Sequence, residues 1–288
     1  MRRTSIVLSC LVILGIACVH AHPGIGVVRD SRGNIFYTDL KQVWKIAPDG
    51  TRSIAVRDVH THELRIDRDD NLFGEHLWYT AGAPNPWSHR VWQRSPDGRV
   101  RDIIPARTGF REDHRDFFFE ADSTGAMYWA DRGETTSIRK RTPDGRIVTI
   151  TSGGFRNVRN MTVSPDGIIH LIDLHDLVRI DPDGTRRTVA RGLADQGIGG
   201  GGEPDAHAVM GLWSGQNGDI FAAVALRGVV KKISSDGRTH VVDRSVPPWS
   251  PSGGLLAPNG DLWVLEFAPN NDVRVRQIRG DGRNSVYE

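Results

Sequence analysis

The chain has 288 residues, with 37 Lys and Arg against 35 Asp and Glu, a formal net charge of +2. That near-balance, with no basic arm or patch, excludes nucleic acid as an expected partner. Both cysteines, Cys10 and Cys18, lie close to the N-terminus, so a chain cut after Ala21 would have no disulfide, no thiolate chemistry and no Cys-ligated zinc.

Residues 1–21 read as a signal peptide. Arg2 and Arg3 precede an apolar run from Ile6 to Val19, and Val19-His20-Ala21 offers small residues before a cut. The run is short for a membrane span, so none is expected and the chain is expected to be secreted or periplasmic. A lipid anchor at Cys18 competes, because Gly15-Ile16-Ala17-Cys18 places a Cys after small residues. A cut after Ala21 would make His22 the first residue, with an amine and an imidazole able to chelate copper together; an unstructured terminal residue is the plainer alternative.

Residues 22–288 read as one domain of six repeats. A turn closes at Gly50, Gly98, Gly145, Gly184, Gly237 and Gly282, about one every 45 residues. A second turn precedes each, from Asp30 to Gly33, Asp67 to Asn71, Asp122 to Gly125, Ser164 to Gly167, Gly215 to Gly218 and Pro258 to Gly260. Strands are predicted between the turns. In the first repeat they are Ile25 to Arg29, Asn34 to Thr38, Val43 to Ala47 and Arg52 to Val56, rich in β-branched and aromatic residues. Four strands per repeat at this period predict an all-β, six-bladed β-propeller with four antiparallel strands per blade. A long β-solenoid is the alternative. No spare strand crosses between the terminal blades, so the ring is expected to close by packing blade 6 on blade 1.

Three phrases carry a resemblance: Val27-Val28-Arg29-Asp30-Ser31-Arg32-Gly33-Asn34-Ile35-Phe36, Met161-Thr162-Val163-Ser164-Pro165-Asp166-Gly167 and Leu256-Ala257-Pro258-Asn259-Gly260-Asp261-Leu262-Trp263. Over about residues 24–288 the chain resembles the six-bladed superfamily of NHL-repeat proteins and the gluconolactonase/senescence-marker group. The lactonase side of the resemblance implies a divalent metal held by a Glu, an Asn and an Asp at the heads of first strands. This sequence departs from it, with Ile25-Gly26 at the Glu position, Val209-Met210 at the Asp position and Asn160 one place out of register. In ligand type and location, the histidines are more similar to the histidine-held metal of the peptidylglycine amidating lyases.

The two turns of each repeat fall on one end of a propeller, and the other connections fall on the opposite end. Of the ten histidines after the predicted cut, His22, His60, His62, His76, His89, His114, His175 and His207 map to that opposite end. His60 and His62 share a face of an extended segment, as a metal-binding pair would. His114 and His207 could complete a site, for which zinc leads and copper or iron follow. Asp113, Glu63, Glu203 or Asp205 could orient the rings. Ordinary exposed loop histidines are the alternative.

Four further signals remain. Gly197 to Gly202 suggest a lid over the channel mouth, or a slack connector. The connection from Leu77 to Arg90 carries Trp78, Tyr79 and Trp87, which with Trp249 and Pro251 could wall a pocket or simply pack together. Arg115 and Arg156 flank the mouth; either could position a substrate carboxylate, with Arg156 the catalytic candidate, or pair structurally with Asp113 or Asp116. Asp39, Asp131, Asp173 and Glu266 recur at the ends of second strands, where a structural role in binding loop amides is expected. Together these predict an exported, metal-dependent propeller hydrolase or lyase of lactonase-like fold, acting on a small molecule in the central channel. The alternative is a non-catalytic, NHL-type binding module that presents this face to a protein or glycan.

Overall fold

The computed structural model describes residues 23–83, 87–108, 119–122, 124–194 and 207–288. Six four-stranded antiparallel sheets follow one another along the chain, each made of consecutive strands. Blade 1 is Val27–Arg29, Ile35–Thr38, Val43–Ile46 and Arg52–Val56, within two residues of the predicted bounds at every end. Blade 2 is Leu64–Ile66, Leu72–Tyr79, Trp87–Arg94 and Val100–Thr108. Blades 3 to 6 open with the first strands Glu120–Ala121, Val158–Val163, Leu212–Ser214 and Ser250–Leu256. The only helical pieces among the described residues are single turns at Gln216–Gly218 and Ala225–Arg227.

Alternation along the strands puts apolar side chains on both faces of each sheet, and neighbouring blades cover them. Six buried clusters result, one at each blade junction. The cluster at the junction of blades 6 and 1 joins Val27, Ile35 and Tyr37 to Trp263, Leu265 and Val275. Ser252 Oγ donates to the Gly24 carbonyl there at 2.7 Å, across 228 residues of sequence. The ring therefore closes by packing, without strand exchange.

The predicted turns form. Their closing glycines, such as Gly50 (φ +87°) and Gly282 (φ +82°), take the left-handed conformation. The upstream turn of the second repeat, Asp67 to Asn71, has no glycine, and Asp70 takes that conformation instead (φ +60°). Its carboxylate accepts the Ser31 N–H at 2.8 Å and the Ser31 hydroxyl at 2.6 Å, which ties blade 2 to blade 1.

One predicted element differs. The segment from Leu77 to Arg90 is largely strand, because the hairpin of blade 2 pairs through to Tyr79↔Trp87. Buried Leu77, Ser88, His89 and Val91 anchor it.

Candidate functional site

The six first strands surround the axis. They line a cavity of about 210 Å³, bordered by Val28, Arg65, Glu120, Thr162, Trp213 and Gly254 among others. At the end opposite the turns, residues 60–63 lead into the first strand of blade 2.

Every step of that segment is fixed. The His62 carbonyl accepts the N–H groups of Ile25 and Gly26 at 2.7 and 3.0 Å. The His60 carbonyl accepts the Leu77 N–H at 3.1 Å. Thr38 Oγ1 donates to the Thr61 carbonyl at 2.6 Å. Glu75, fully buried on the second strand, accepts the His62 N–H at 2.5 Å and the Glu63 N–H at 3.4 Å through Oε1. Asp173 does the same in blade 4, where Oδ1 accepts the N–H groups of Arg156 and Asn157 at 2.8 and 2.7 Å. The amide-binding role expected of second-strand acids is thus present at Asp173, and at Asp39, whose Oδ1 accepts the N–H groups of Lys41 and Gln42, both at 2.8 Å. Asp131 and Glu266 instead pair with arginines of the adjacent third strand, Arg139 at 2.9 Å and Arg274 at 2.7 Å. Glu75 is a further member that the sequence did not single out.

The wiring brings the His60 and His62 rings together, with centroids 4.8 Å apart and edge to face. His62 Nδ1 lies 3.4 Å from Glu75 Oε1. Burial, then the neighbouring His62, holds the His60 imidazole below its ordinary value. His76 Nδ1 accepts the His60 N–H at 2.8 Å, and burial lowers the His76 value as well. Neutral imidazoles are the form that ligates metals.

One strand step further in, Arg65 bridges two acids. Its Nη2 lies 2.6 Å from Glu63 Oε2 and 2.9 Å from Glu120 Oε1, on the first strand of blade 3. Glu63 therefore serves Arg65, in addition to any part in orienting a ring. Burial pushes the Glu120 carboxyl up to about 7 against the opposing pull of Arg65. A carboxyl poised there can give or take a proton at neutral pH. Glu63 and Arg65, two apart on one face of a first strand, were the legible signal for this cluster.

The other predicted residues divide. His114, Arg115, Asp113, Asp116, Glu203, Asp205, His22 and the glycine run at 197–202 lie outside the described residues. His207 stands immediately before buried Ala208 and Val209 at the head of blade 5. Among the described residues, no group of three or more His, Cys, Asp or Glu side chains is placed to hold a metal ion. Arg156 Nη2 donates to Asp176 Oδ2 at 2.7 Å and to the Asp173 carbonyl at 2.9 Å, the structural pairing that its sequence context also allowed, although with acids of its own blade. The Trp249 ring is covered by the Arg274 guanidinium at 4.2 Å.

The oxygen-ligand metal set implied by the lactonase resemblance does not fit. A Cβ on Gly26 would lie 2.5 Å from the Leu64 nitrogen, so no Glu can stand there. Val209 and Met210 are buried, and the Asn160 amide donates to the Met210 carbonyl.

No family model and no curated protein matches the sequence. Solved structures do. A gluconolactonase from Xanthomonas campestris aligns at 15% identity with a TM-score of 0.59, over 85% of this chain and 83% of its own. Regucalcin, a calcium-binding protein from Agrobacterium tumefaciens, aligns at 16% identity with a TM-score of 0.56, over 84% and 81%. A virginiamycin B lyase from Staphylococcus aureus, solved with quinupristin, aligns at 15% identity with a TM-score of 0.56, over 92% and 84%. What they share with this chain is the six-bladed propeller. At these identities the likeness establishes the fold and nothing finer.

Proposed function

We propose that the chain is a propeller hydrolase or lyase whose chemistry takes place at the channel end that bears His60 and His62. The observation that carries this is one constellation: two adjoining imidazoles on a fully wired segment, followed along the chain by Glu63 and Arg65, with Glu120 of the next blade's first strand paired to Arg65 and its carboxyl raised to about 7 by burial. Similar propellers named as a gluconolactonase and a lyase support an enzyme over a scaffold. Two adjoining imidazoles suit a divalent transition metal, zinc first. His60 and His62 would hold it, with His114 and His207 as the further candidates. When bound, such an ion supplies a polarised carbonyl or an activated water. Glu120 would carry the proton, and Arg65 would keep its carboxyl in place. Arg156 is proposed at most to steer an anionic substrate, since its guanidinium already meets Asp176. Residues 1–21 are proposed to export the chain.

The test is metal analysis of untagged protein, beside proton release from a panel of lactones. One transition metal per chain is expected, lost in His60→Ala/His62→Ala, with turnover abolished in Glu120→Gln. A metal-free parent that releases no protons from the panel would sink the proposal.

A second proposal, the binding module, has one observation in its favour. Tyr79 and Trp87, 58% and 44% exposed, pack edge to face in the blade 2 hairpin on the same end. Capture of a protein or glycan, lost on Tyr79→Ser/Trp87→Ser, would favour it.

A further inference from the structure

A large cavity lies at the other end of the molecule. It is a cleft of about 880 Å³ on the turn end, where blade 6 meets blade 1. The repeat supplies its own controls. The corresponding clefts between blades 4 and 5 and between blades 1 and 2 measure about 150 and 70 Å³.

Two departures from the repeat meet in this cleft. The first is Arg29, the last residue of the first strand of blade 1. By strand register its counterparts in blades 2 to 6 are Ile66, Ala121, Val163, Ser214 and Leu256, so a charge stands there in one blade alone. The second is the residue that opens the 3–4 turn. In blades 2 to 5 it is Ser95, Thr142, Asp181 and Ser234, polar residues of small or modest size. The cleft has Ala47 at that position on one wall and Arg279 on the other. Ala47 leaves space, and Arg279 adds a guanidinium beside those of Arg29 and Arg32.

The charges in the cleft are unequally satisfied. Asp49 accepts the Thr51 N–H at 2.8 Å, Asp261 accepts from Gln277 at 2.6 Å, and Asp281 accepts from Arg283 at 2.7 Å. Arg279 donates to Ser285 Oγ at 3.0 Å and to Gln277 Oε1 at 2.9 Å. Among the described residues the Arg29 side chain has no hydrogen-bond or ion-pair partner, although it is half-buried. A guanidinium left open in a cleft suits a carboxylate, which it can grip through two parallel hydrogen bonds. The remaining polar lining is the exposed Arg32 and the amides and hydroxyls of Asn259, Gln277, Ser285 and Tyr287. Those amides and hydroxyls suit a ligand rich in hydroxyls. The volume falls within the ~300–1,000 Å³ of ligand sites, far more than a bare anion needs.

We propose that this seam cleft is a second binding site, distinct from the channel, for a carboxylate-bearing saccharide of about two sugar units, with Arg29 gripping the carboxylate.

Calorimetric titration with digalacturonate and with its neutral counterpart galactobiose tests the proposal. Digalacturonate is expected to bind saturably, and roughly tenfold or more tighter than galactobiose. Arg29→Ala is expected to lose about tenfold or more, and Arg29→Lys part of that, because the paired hydrogen bonds go while the charge stays. Ala47→Phe, which takes up cleft volume while the Arg29 charge stays, is expected to weaken binding as well. Arg238→Ala, on an exposed turn of blade 5, and His60→Ala/His62→Ala in the channel are expected to leave affinity unchanged, so this site stands or falls separately from the channel chemistry. Among the described residues the Arg29 side chain has no partner to lose, so its variants are expected to melt with the parent. No saturable binding of digalacturonate up to about 10 mM, equal affinity for galactobiose, or an affinity within about twofold of parent in Arg29→Ala would overturn the proposal.

Discussion

Replacing Glu120 by Gln is expected to flatten the pH dependence of stability. Burial raises the Glu120 carboxyl from 4.5 to about 7 in the folded chain. Between those two values the folded protein keeps a proton that the unfolded chain has released. Stability from this group is therefore full below pH 4.5 and is lost as pH rises through 7. The size follows from the two values: about 2.5 kcal/mol is lost between pH 5 and pH 8. Gln is neutral throughout and nearly the same shape, and Arg65 keeps Glu63 at 2.6 Å as its counter-ion. Urea unfolding of parent and Glu120→Gln at pH 5 and pH 8 gives four free energies. Other titrating groups cancel in the difference of differences, which is expected near 2.5 kcal/mol, with the variant the more stable protein at pH 8. Equal pH effects in the two proteins, within about 0.5 kcal/mol, would show that Glu120 is ionised in the fold like any other carboxylate, and its role in proton transfer would fall with it.

Two further outcomes are expected. Gly253→Ala places a Cβ 2.0 Å from the Ile25 carbonyl oxygen at the ring closure, where backbone atoms cannot retreat; a loss of about 3 kcal/mol and a fall in Tm of roughly 6–10 °C are expected. Gly280→Ala, with no atom within 4 Å, is the control and is expected to melt at or slightly above the parent. His170 is held down to about 4 by burial and then by Arg179 and Arg187. The unfolded chain takes up a proton near pH 6.5 that the fold refuses, so stability is lost as pH falls from 6.5 towards 4, by about 2–3 kcal/mol. Unfolding of His170→Gln at pH 7 and pH 4.5 is expected to show that slope reduced.

Much of the fold was legible because it is local. Each turn needs a particular backbone at one glycine, and each hairpin needs alternation over four to six residues, so blade 1 could be bounded almost to the residue. The blade 2 hairpin was longer than expected because its extra pairs, such as Leu77↔His89, are neither apolar throughout nor marked by turn residues. The site was legible only where it is local too. His60 and His62 sit two apart on one segment, and that spacing implied a pair. Arg65 and Glu120 are 55 residues apart on different blades, and only the ring places one beside the other. Glu75 looked like any strand acid until the structure showed two N–H groups aimed at it. The seam cleft was missed because the turns read alike, and Arg29 departs from the repeat only once strand register defines its counterparts.

Because every sheet is built from consecutive strands, the position of the chain ends is arbitrary to the architecture. Joining Tyr287 to Gly24 through a short linker and opening the chain at another blade junction would keep all six sheets intact. It would move only the place where the last-made contact spans the whole sequence. In this chain that contact lies between blade 6 and blade 1, so assembly can proceed blade by blade from either end, with the ring snapping shut last. Circular permutants opened at successive junctions would then have similar hairpin folding and differ in which interface closes latest, which makes this propeller a clean subject for asking whether ring closure limits its rate of folding.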